Sequence, residues 1–164
     1  MSQCRERRRS EAAAKLGDGK IVMSMMPKDE RTSAAMAKVR QARTAPEERV
    51  ATSLRELGLA YRRNVKSLPG KPDFANRSRG WAIQVHGCFW HQHDCKRGTM
   101  PAHNRDAWEM KLARNKARDI RVNDALENLG LSVLTLWECE TRDPTRLKEK
   151  ISNHLIPFAQ SKPD

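Results

Sequence analysis

Residues 86–98 read HGCFWHQHDCKRG, and no other stretch of the chain restricts the fold as strongly. Cys88, His93 and Cys95 stand as C-x4-H-x-C, and Cys139 follows an apolar run some forty residues on. Three soft ligands in eight residues plus one remote thiolate suit a closed tetrahedral zinc site, because zinc accepts sulfur and imidazole with little geometric penalty. The expected task is structural, tying an irregular loop to the end of the run LSVLTLWE in a domain with little apolar area to hold it. On spacing alone His91 or His103 would serve in place of His93. The plain alternative is four ordinary cysteines, buried or free.

The charge balance adds a partner. The 164 residues carry 32 Lys and Arg against 20 Asp and Glu, a net charge of +12, with a sequence pI near 10.1, which points to a polyanion. Residues 1–43 hold 11 basic and 5 acidic residues and residues 44–164 hold 21 and 15, so each part contributes +6. Outside IVMSMM the first part has almost no large apolar side chains, and residues 1–31 read as a basic, flexible arm or as a leader without a function. The length suits one domain. No apolar run approaches the roughly 18 residues of a membrane span, and the basic start CRERRR leads into SEAAAKLGDGK instead of a secretory apolar stretch. The expectation is a soluble intracellular protein, in which Cys4, Cys88, Cys95 and Cys139 are thiols or metal ligands and not a disulfide framework.

Order is expected from Thr44, where TAPEER offers a capping box: the Thr44 hydroxyl accepts from the Glu47 amide while the Glu47 carboxylate reaches back. A helix follows with Val50, Leu54 and Leu57 on one face and Gly58 as its stop. LAYRRNV reads as a strand, SLPGKPDF as a turn leading into a second short strand, and WAIQV as a buried strand. A long helix is predicted from about Ala107 to Leu129, closed by Gly130. Its apolar stripe of Trp108, Leu112, Val122, Leu126 and Leu129 is interrupted by Asn115 and Asp119. Either the helix turns so that Ala113, Ala117 and Ile120 face the core there, or the stretch borders a polar site. LSVLTLWE then reads as a strand reached by a crossover onto a mixed sheet, and RDPTRLKEKISNHLIPF as a helix capped by Asp143 with Pro144 at its first position.

The segment GKPDF puts Asp73 at the start of a strand, after a Pro that fixes the backbone. A carboxylate so placed suits a hard cation, and the next strand ends at His86, with His91 five residues on. This is half of the divalent-metal nuclease pattern, in which a metal stabilises charge building on phosphorus and a base activates water. The usual other half, an acidic residue, a spacer and a Lys, is absent; the strand reads Gln84, Val85, His86. By itself Asp73 is a weak signal, since most Asp residues after a Pro are turn formers.

Taken together, RTAPEERV, LPGKPDF, HGCFWHQHDC, the later Trp, Asn and Arg-Asp, and WEC resemble the very short patch repair (Vsr) endonucleases of bacteria, from about Thr32 to His154. The resemblance implies an α/β single domain with a zinc-stapled variant of the type II restriction-endonuclease-like fold, a mixed sheet flanked by helices. It divides the chain into the arm at 1–31, an endonuclease domain at 32–158 and a tail at 159–164. It implies nicking beside the T of a T·G mismatch left by 5-methylcytosine deamination, with Mg²⁺ as catalytic and Zn²⁺ as structural cofactor, and without an acidic-x-Lys element. By position, Asp73 would bind magnesium, His91 would be the base, His86 would contact the scissile phosphate, and Glu47 would orient the cluster. Cys88, His93, Cys95 and Cys139 would hold zinc. Phe89, Trp90 and Trp108 would be an aromatic wedge in the DNA stack, cheapest to insert at a mispair. Asn115 and Asp119 match positions near the site, which favours the polar-site reading of the long helix, and Lys38 and Arg40 are counted with the DNA-binding residues. One departure is Val85, where familiar members carry Thr; that position lends its backbone carbonyl to the metal, which Val can still do.

The implied partners are double-stranded DNA with a T·G mismatch, mismatch-repair proteins and a paired cytosine-5 methylase, met by a monomer in the bacterial cytoplasm near the nucleoid, with no membrane role. Two alternatives stand beside this reading. One is a mismatch-independent nickase or restriction-type nuclease linked to a modification system. The other is a zinc-stapled DNA-binding module with weak or no turnover.

Overall fold

A computed structural model describes residues 43–160. The expected arm at 1–31, Cys4, Lys38 and Arg40 lie outside the described residues.

Helix α1 spans Ala45–Glu56. Its capping box forms as the sequence predicts: the Glu47 amide donates to Thr44 Oγ1 at 3.5 Å, and Glu47 Oε1 accepts from the Thr44 amide at 3.4 Å and the Thr44 hydroxyl at 2.8 Å. Val50, Ala51 and Leu54 are fully buried, and Gly58, at φ +67°, turns the chain out of the helix.

Four strands follow in the order β1-β2-β3-β4. The predicted seven-residue strand LAYRRNV shrinks to β1, Arg62–Arg63, because Asn64 takes φ 50° and ends the extended run. Its two residues pair antiparallel with β2, Phe74–Asn76. A single 3₁₀ turn at Arg77–Arg79 and Gly80 at φ 70° return the chain into β3, Trp81–His86, again antiparallel. Helix α2, Arg105–Glu127, then carries the chain over to β4, Ser132–Trp137, which lies parallel to β3 through six residue pairs from Trp81↔Ser132 to His86↔Trp137. The mixed sheet and crossover predicted from the helix-then-strand order are therefore present. Helix α3, Pro144–Gln160, closes the described chain and runs two residues into the segment read as a tail. Asp143 caps it, its Oδ1 accepting from the amides of Thr145 and Arg146 at 3.0 and 3.1 Å.

The sheet is buried on both faces. On one, Phe74, Trp81, Ile83, Leu134 and Leu136 meet Val50 and Leu54 of α1 and Leu147, Ile151 and Leu155 of α3. On the other, Ala75 and Ala82 meet Leu68, Leu131 and Leu126 of α2. Residues 82, 84 and 86 of β3 alternate onto the α2 side. That alternation is why the polar end of β3 meets α2.

The register of α2 decides between the two readings of its interrupted stripe. Ala113 and Ala117 are exposed and Ile120 is 55% exposed, so the helix does not turn them inward. Leu112 and Leu126 are buried, and Asn115 and Asp119 keep their place between them, half-buried. Leu129 is a correction: it is 54% exposed, because the helix starts at Arg105 and stops at Glu127, two residues before the predicted end. No described helix is long and apolar enough to cross a membrane.

Candidate functional site

The parallel pair β3 and β4 brings His86 and Trp137 side by side at their carboxyl ends, the edge at which α/β sheets commonly hold their sites. The Glu138 amide donates to the His86 carbonyl at 2.9 Å and extends the ladder by one residue. From this edge the loop after β3 supplies Cys88, His93 and Cys95, while the chain leaving β4 supplies Cys139. Their ligand atoms all lie within 4.8 Å of one another. Cys139 Sγ stands 3.4 Å from His93 Nδ1. Metal–sulfur bonds of about 2.3 Å in a tetrahedron imply ligand-to-ligand edges near 3.8 Å, so these four residues fit zinc in donor type, number and spacing. His103 is exposed and outside the cluster, and His91 belongs to a different group, so of the three histidines left open by spacing it is His93 that the fold brings to the cysteines.

The loop holds this shape through backbone bonds: the His93 amide to the Cys88 carbonyl at 3.0 Å, Cys95 to His93 at 2.8 Å and Gly98 to Cys95 at 2.9 Å. The His93 ring stacks on Trp137, with centroids 4.4 Å apart. Gly98 is required here, since a Cβ would stand 2.0 Å from the His93 carbonyl oxygen. Burial pushes the Cys88 thiol up to about 12. For Cys95 burial pulls the same way but is outweighed by hydrogen bonding to His93 and to the amides of Arg97 and Gly98, which bring it down to about 7.

Beside this cluster lies a second one, His86, His91 and Asp119, also with ligand atoms within 4.8 Å of one another. The His86 and His91 rings stack in parallel, centroids 3.9 Å apart and 8° between planes. His91 sits in the turn whose amide donates to the Gly87 carbonyl at 3.2 Å, and its Nδ1 meets the Asp119 carboxylate from α2. His86 Nε2 lies 3.0 Å from Gln84 Oε1, and Gln84 Nε2 donates to Asn123 Oδ1 at 2.7 Å. Burial, and then the charge of His91, push His86 down to about 4.

Asp73 belongs to neither cluster. Its Oδ2 accepts from the Val85 amide at 2.7 Å. Because β2 pairs with β3 only as far as Phe74↔Ile83, Asp73 occupies the place beyond the last paired residue. The N–H and C=O of one strand residue point to the same side, so the Val85 carbonyl faces the same edge as Asp73. Burial raises the Asp73 carboxyl to about 6, with the Val85 bond opposing and the charge of Glu47 adding to the rise. Glu47 itself is buried at the start of α1, its carboxylate taken up by Thr44 and by the Arg43 amide at 2.9 Å.

Phe89, Trp90 and Trp108 form one half-buried group, with centroids 5.1 Å (Phe89–Trp90), 5.0 Å (Phe89–Trp108) and 6.1 Å (Trp90–Trp108) apart. Lys111 Nζ lies 5.1 Å from the Trp90 ring centre and 5.5 Å from that of Trp108. Asn115 anchors the group by donating to the Trp90 carbonyl at 3.0 Å. Sequence reasoning passed over Gln84, Asn123, Gly98 and Lys111. Of these only Gln84 left a signal, as the lone amide in an otherwise apolar strand.

The chain resembles known proteins along most of its length. The sequence model of the family described as DNA mismatch endonuclease Vsr matches residues 24–97. A "Type II nicking enzyme V.XorIIP" of Xanthomonas oryzae is 40% identical over 128 residues, covering 78% of this chain and 94% of that protein. A "Type II nicking enzyme V.NmeAIP" of Neisseria meningitidis is 36% identical over 124 residues, 76% of this chain and 88% of that one. The "DNA mismatch endonuclease Vsr" of Escherichia coli is 41% identical over 107 residues, 65% and 69% of the two chains. A mixed α/β domain with these relatives and this site is an endonuclease. The chain belongs to the Vsr family.

Proposed function

We propose that this protein nicks one strand of double-stranded DNA beside the T of a T·G mismatch left by 5-methylcytosine deamination, by Mg²⁺-dependent phosphodiester hydrolysis, and so initiates very short patch repair. The observation that carries the reading is the Asp119–His91 contact beside the His86 ring and next to the Asp73–Val85 edge. With Nδ1 committed to Asp119, His91 keeps Nε2 to take the proton of an attacking water. The water oxygen bonds to phosphorus as the bond to the leaving oxygen breaks, and that oxygen takes up a proton from solvent water. His86 contacts the phosphate, and Glu47 shapes the charge at Asp73. Asp73 and the Val85 carbonyl would hold Mg²⁺, which supplies positive charge where the phosphate becomes more negative. Cys88, His93, Cys95 and Cys139 would hold structural Zn²⁺. Phe89, Trp90 and Trp108 enter the stack at the mispair, Asn115 and Asp119 support the site, and Lys38 and Arg40 contact the DNA from outside the described segment. The fold reads as the type II restriction-endonuclease-like variant of this family. The protein would act as a monomer on chromosomal DNA of the bacterial cytoplasm, with mismatch-repair proteins and a cytosine-5 methylase as functional partners.

Duplexes differing only by T·G against C·G, with Mg²⁺ and with Asp73→Ala as control, test the proposal. Nicking of the mismatched duplex alone, abolished by the substitution, is the expected result. Two of the relatives described above are named type II nicking enzymes, which favours as second reading a mismatch-independent nickase linked to a modification system. Equal nicking of both duplexes would select it. No nicking of either would leave a zinc-stapled DNA-binding module.

A further inference from the structure

Gln84 occupies the middle of β3, 8% exposed, on the face covered by α2. Its neighbours on that face are apolar toward one end, Ala82 against Leu126, and His86 toward the other. An amide in such a place has a high desolvation cost unless both of its ends are bonded, and both are. Oε1 meets His86 Nε2 at 3.0 Å, and Nε2 donates to Asn123 Oδ1 at 2.7 Å. Asn123 stands one helical turn beyond Asp119, so α2 sends two polar side chains from one face to the two stacked imidazoles: Asp119 directly to His91, and Asn123 through Gln84 to His86.

We infer that Gln84 and Asn123 form a positioning relay that holds His86 in its Nε2–H tautomer and leaves Nδ1 as the ring nitrogen free for a reacting group. The direction of the relay follows from its acceptor end. In the structure that end is Asn123 Oδ1, which accepts from Gln84 Nε2, and this orientation turns the Gln84 carbonyl to His86. A carbonyl only accepts, so the proton is on His86 Nε2. His91, bonded to a carboxylate through Nδ1, is held in the opposite tautomer. The two stacked rings are thus distinguished by their supports: one carboxylate on Nδ1, one amide on Nε2. The consequence for nicking rests on the function proposed above, whereas the tautomer does not.

The test is long-range ¹H–¹⁵N correlation on full-length, zinc-loaded protein labelled in histidine, with His86 assigned from the spectrum of His86→Gln, alongside steady-state nicking of a T·G duplex. His86 should show a protonated Nε2 and a bare Nδ1. Gln84→Met, which keeps length and removes both polar ends, should shift His86 toward the Nδ1–H form and lower kcat about tenfold or more with KM for DNA little changed, the size of effect that supporting partners of functional histidines produce. Asn123→Leu, on the half-buried helix face, should move both readouts the same way without disturbing the core, and Asn123→Asp, which keeps the acceptor, should restore the Nε2–H signal. A parent protein with His86 in the Nδ1–H form would mean that both amides are turned the other way and would overturn the inference. So would an unchanged tautomer in Gln84→Met and Asn123→Leu. If the parent holds the Nε2–H form but nicks no duplex, the relay stands and the proposed function fails.

Discussion

Asp119, in the middle of α2, and His91, in the loop after β3, are 28 residues apart in sequence and in direct contact through a carboxylate oxygen and Nδ1. Both are half-buried, and the same carboxylate is approached by Arg118 Nη2 at 3.6 Å. The pair fixes both the orientation of the ring and the nitrogen left free.

Asp119→Asn should therefore cost more in turnover than in binding. The amide keeps the shape but can present its N–H to the ring and reverse the tautomer. A fall in kcat of roughly 10²-fold, within the range of general-base contributions, with little change in KM for a T·G duplex is expected. An equal rise in KM with kcat intact would assign Asp119 to DNA binding instead.

Gly98→Ala should disrupt the cysteine cluster. Its new methyl would meet the His93 carbonyl, a backbone atom that cannot swing away. Purified variant protein should contain well under one zinc per chain, while Gly58→Ala, in open space, should keep its zinc although its φ of +67° costs some stability. A full zinc complement in Gly98→Ala would show that the loop can reshape around the metal.

With the zinc proposed for the cysteine cluster in place, its removal should loosen the end of β4. Cys139 leaves β4 immediately after Glu138, so the cluster ties a loop to the sheet across more than forty residues. Cys139→Ser, or a strong chelator, should lower stability by about 2–5 kcal/mol, comparable to losing a disulfide from a small domain, read as a fall in Tm. An unchanged Tm would remove the structural role.

Acid should act on the site through two buried groups of opposite sign. Asp73, raised to about 6 by burial, takes up its proton in the folded state before an unfolded carboxyl would, which favours folding as pH falls below 6. His86, lowered to about 4 by burial, resists a proton that the unfolded chain accepts near 6.5, which disfavours folding over the same window. The two act in opposite directions. Asp73→Asn removes the first, so its stability measured without added magnesium should fall more steeply between pH 6.5 and 4 than that of the parent. Parallel curves would contradict these assignments.

Phe89→Ala and Trp90→Ala should each narrow the ratio of T·G to C·G nicking, by about tenfold if each ring stacks on one base at roughly 1–3 kcal/mol, while general affinity for duplex DNA changes less. Competition binding at fixed salt separates the two, because phosphate contacts respond to salt and stacking does so weakly. A uniform loss of binding with the ratio preserved would argue against a wedge.

Much of this was legible locally. The capping box at Thr44 and Glu47, the cap at Asp143, the buried strand at 81–86 and the C-x4-H-x-C spacing are set by neighbouring residues, so they could be read before any fold was known. The same is true of the charge, +12 overall and shared equally between residues 1–43 and the remainder. Other features had no local signature. LAYRRNV has the composition of a strand, yet the positive φ of Asn64 limits it to two residues. Spacing alone could not choose among His91, His93 and His103, because all three lie within reach of a flexible loop in one dimension. Nor could it place Asp73, which the sequence sets near two histidines and the structure binds to the Val85 amide.

The sequence by itself determined which chemistry is available: four soft ligands, a short list of histidines and carboxylates, a compact aromatic set and a surplus of positive charge. Tertiary structure decided which of these groups meet. The parallel pairing of β3 with β4 brings Cys139 to the loop of Cys88, and the rotation of α2 turns Asn115, Asp119 and Asn123 toward the end of β3 while leaving Ala113, Ala117 and Ile120 in solvent. Helix rotation is set by burying Leu112 and Leu126, residues with no part in the chemistry. That is the physical reason the site could not be completed from the motifs alone: its partners are positioned by apolar packing elsewhere on the same helix.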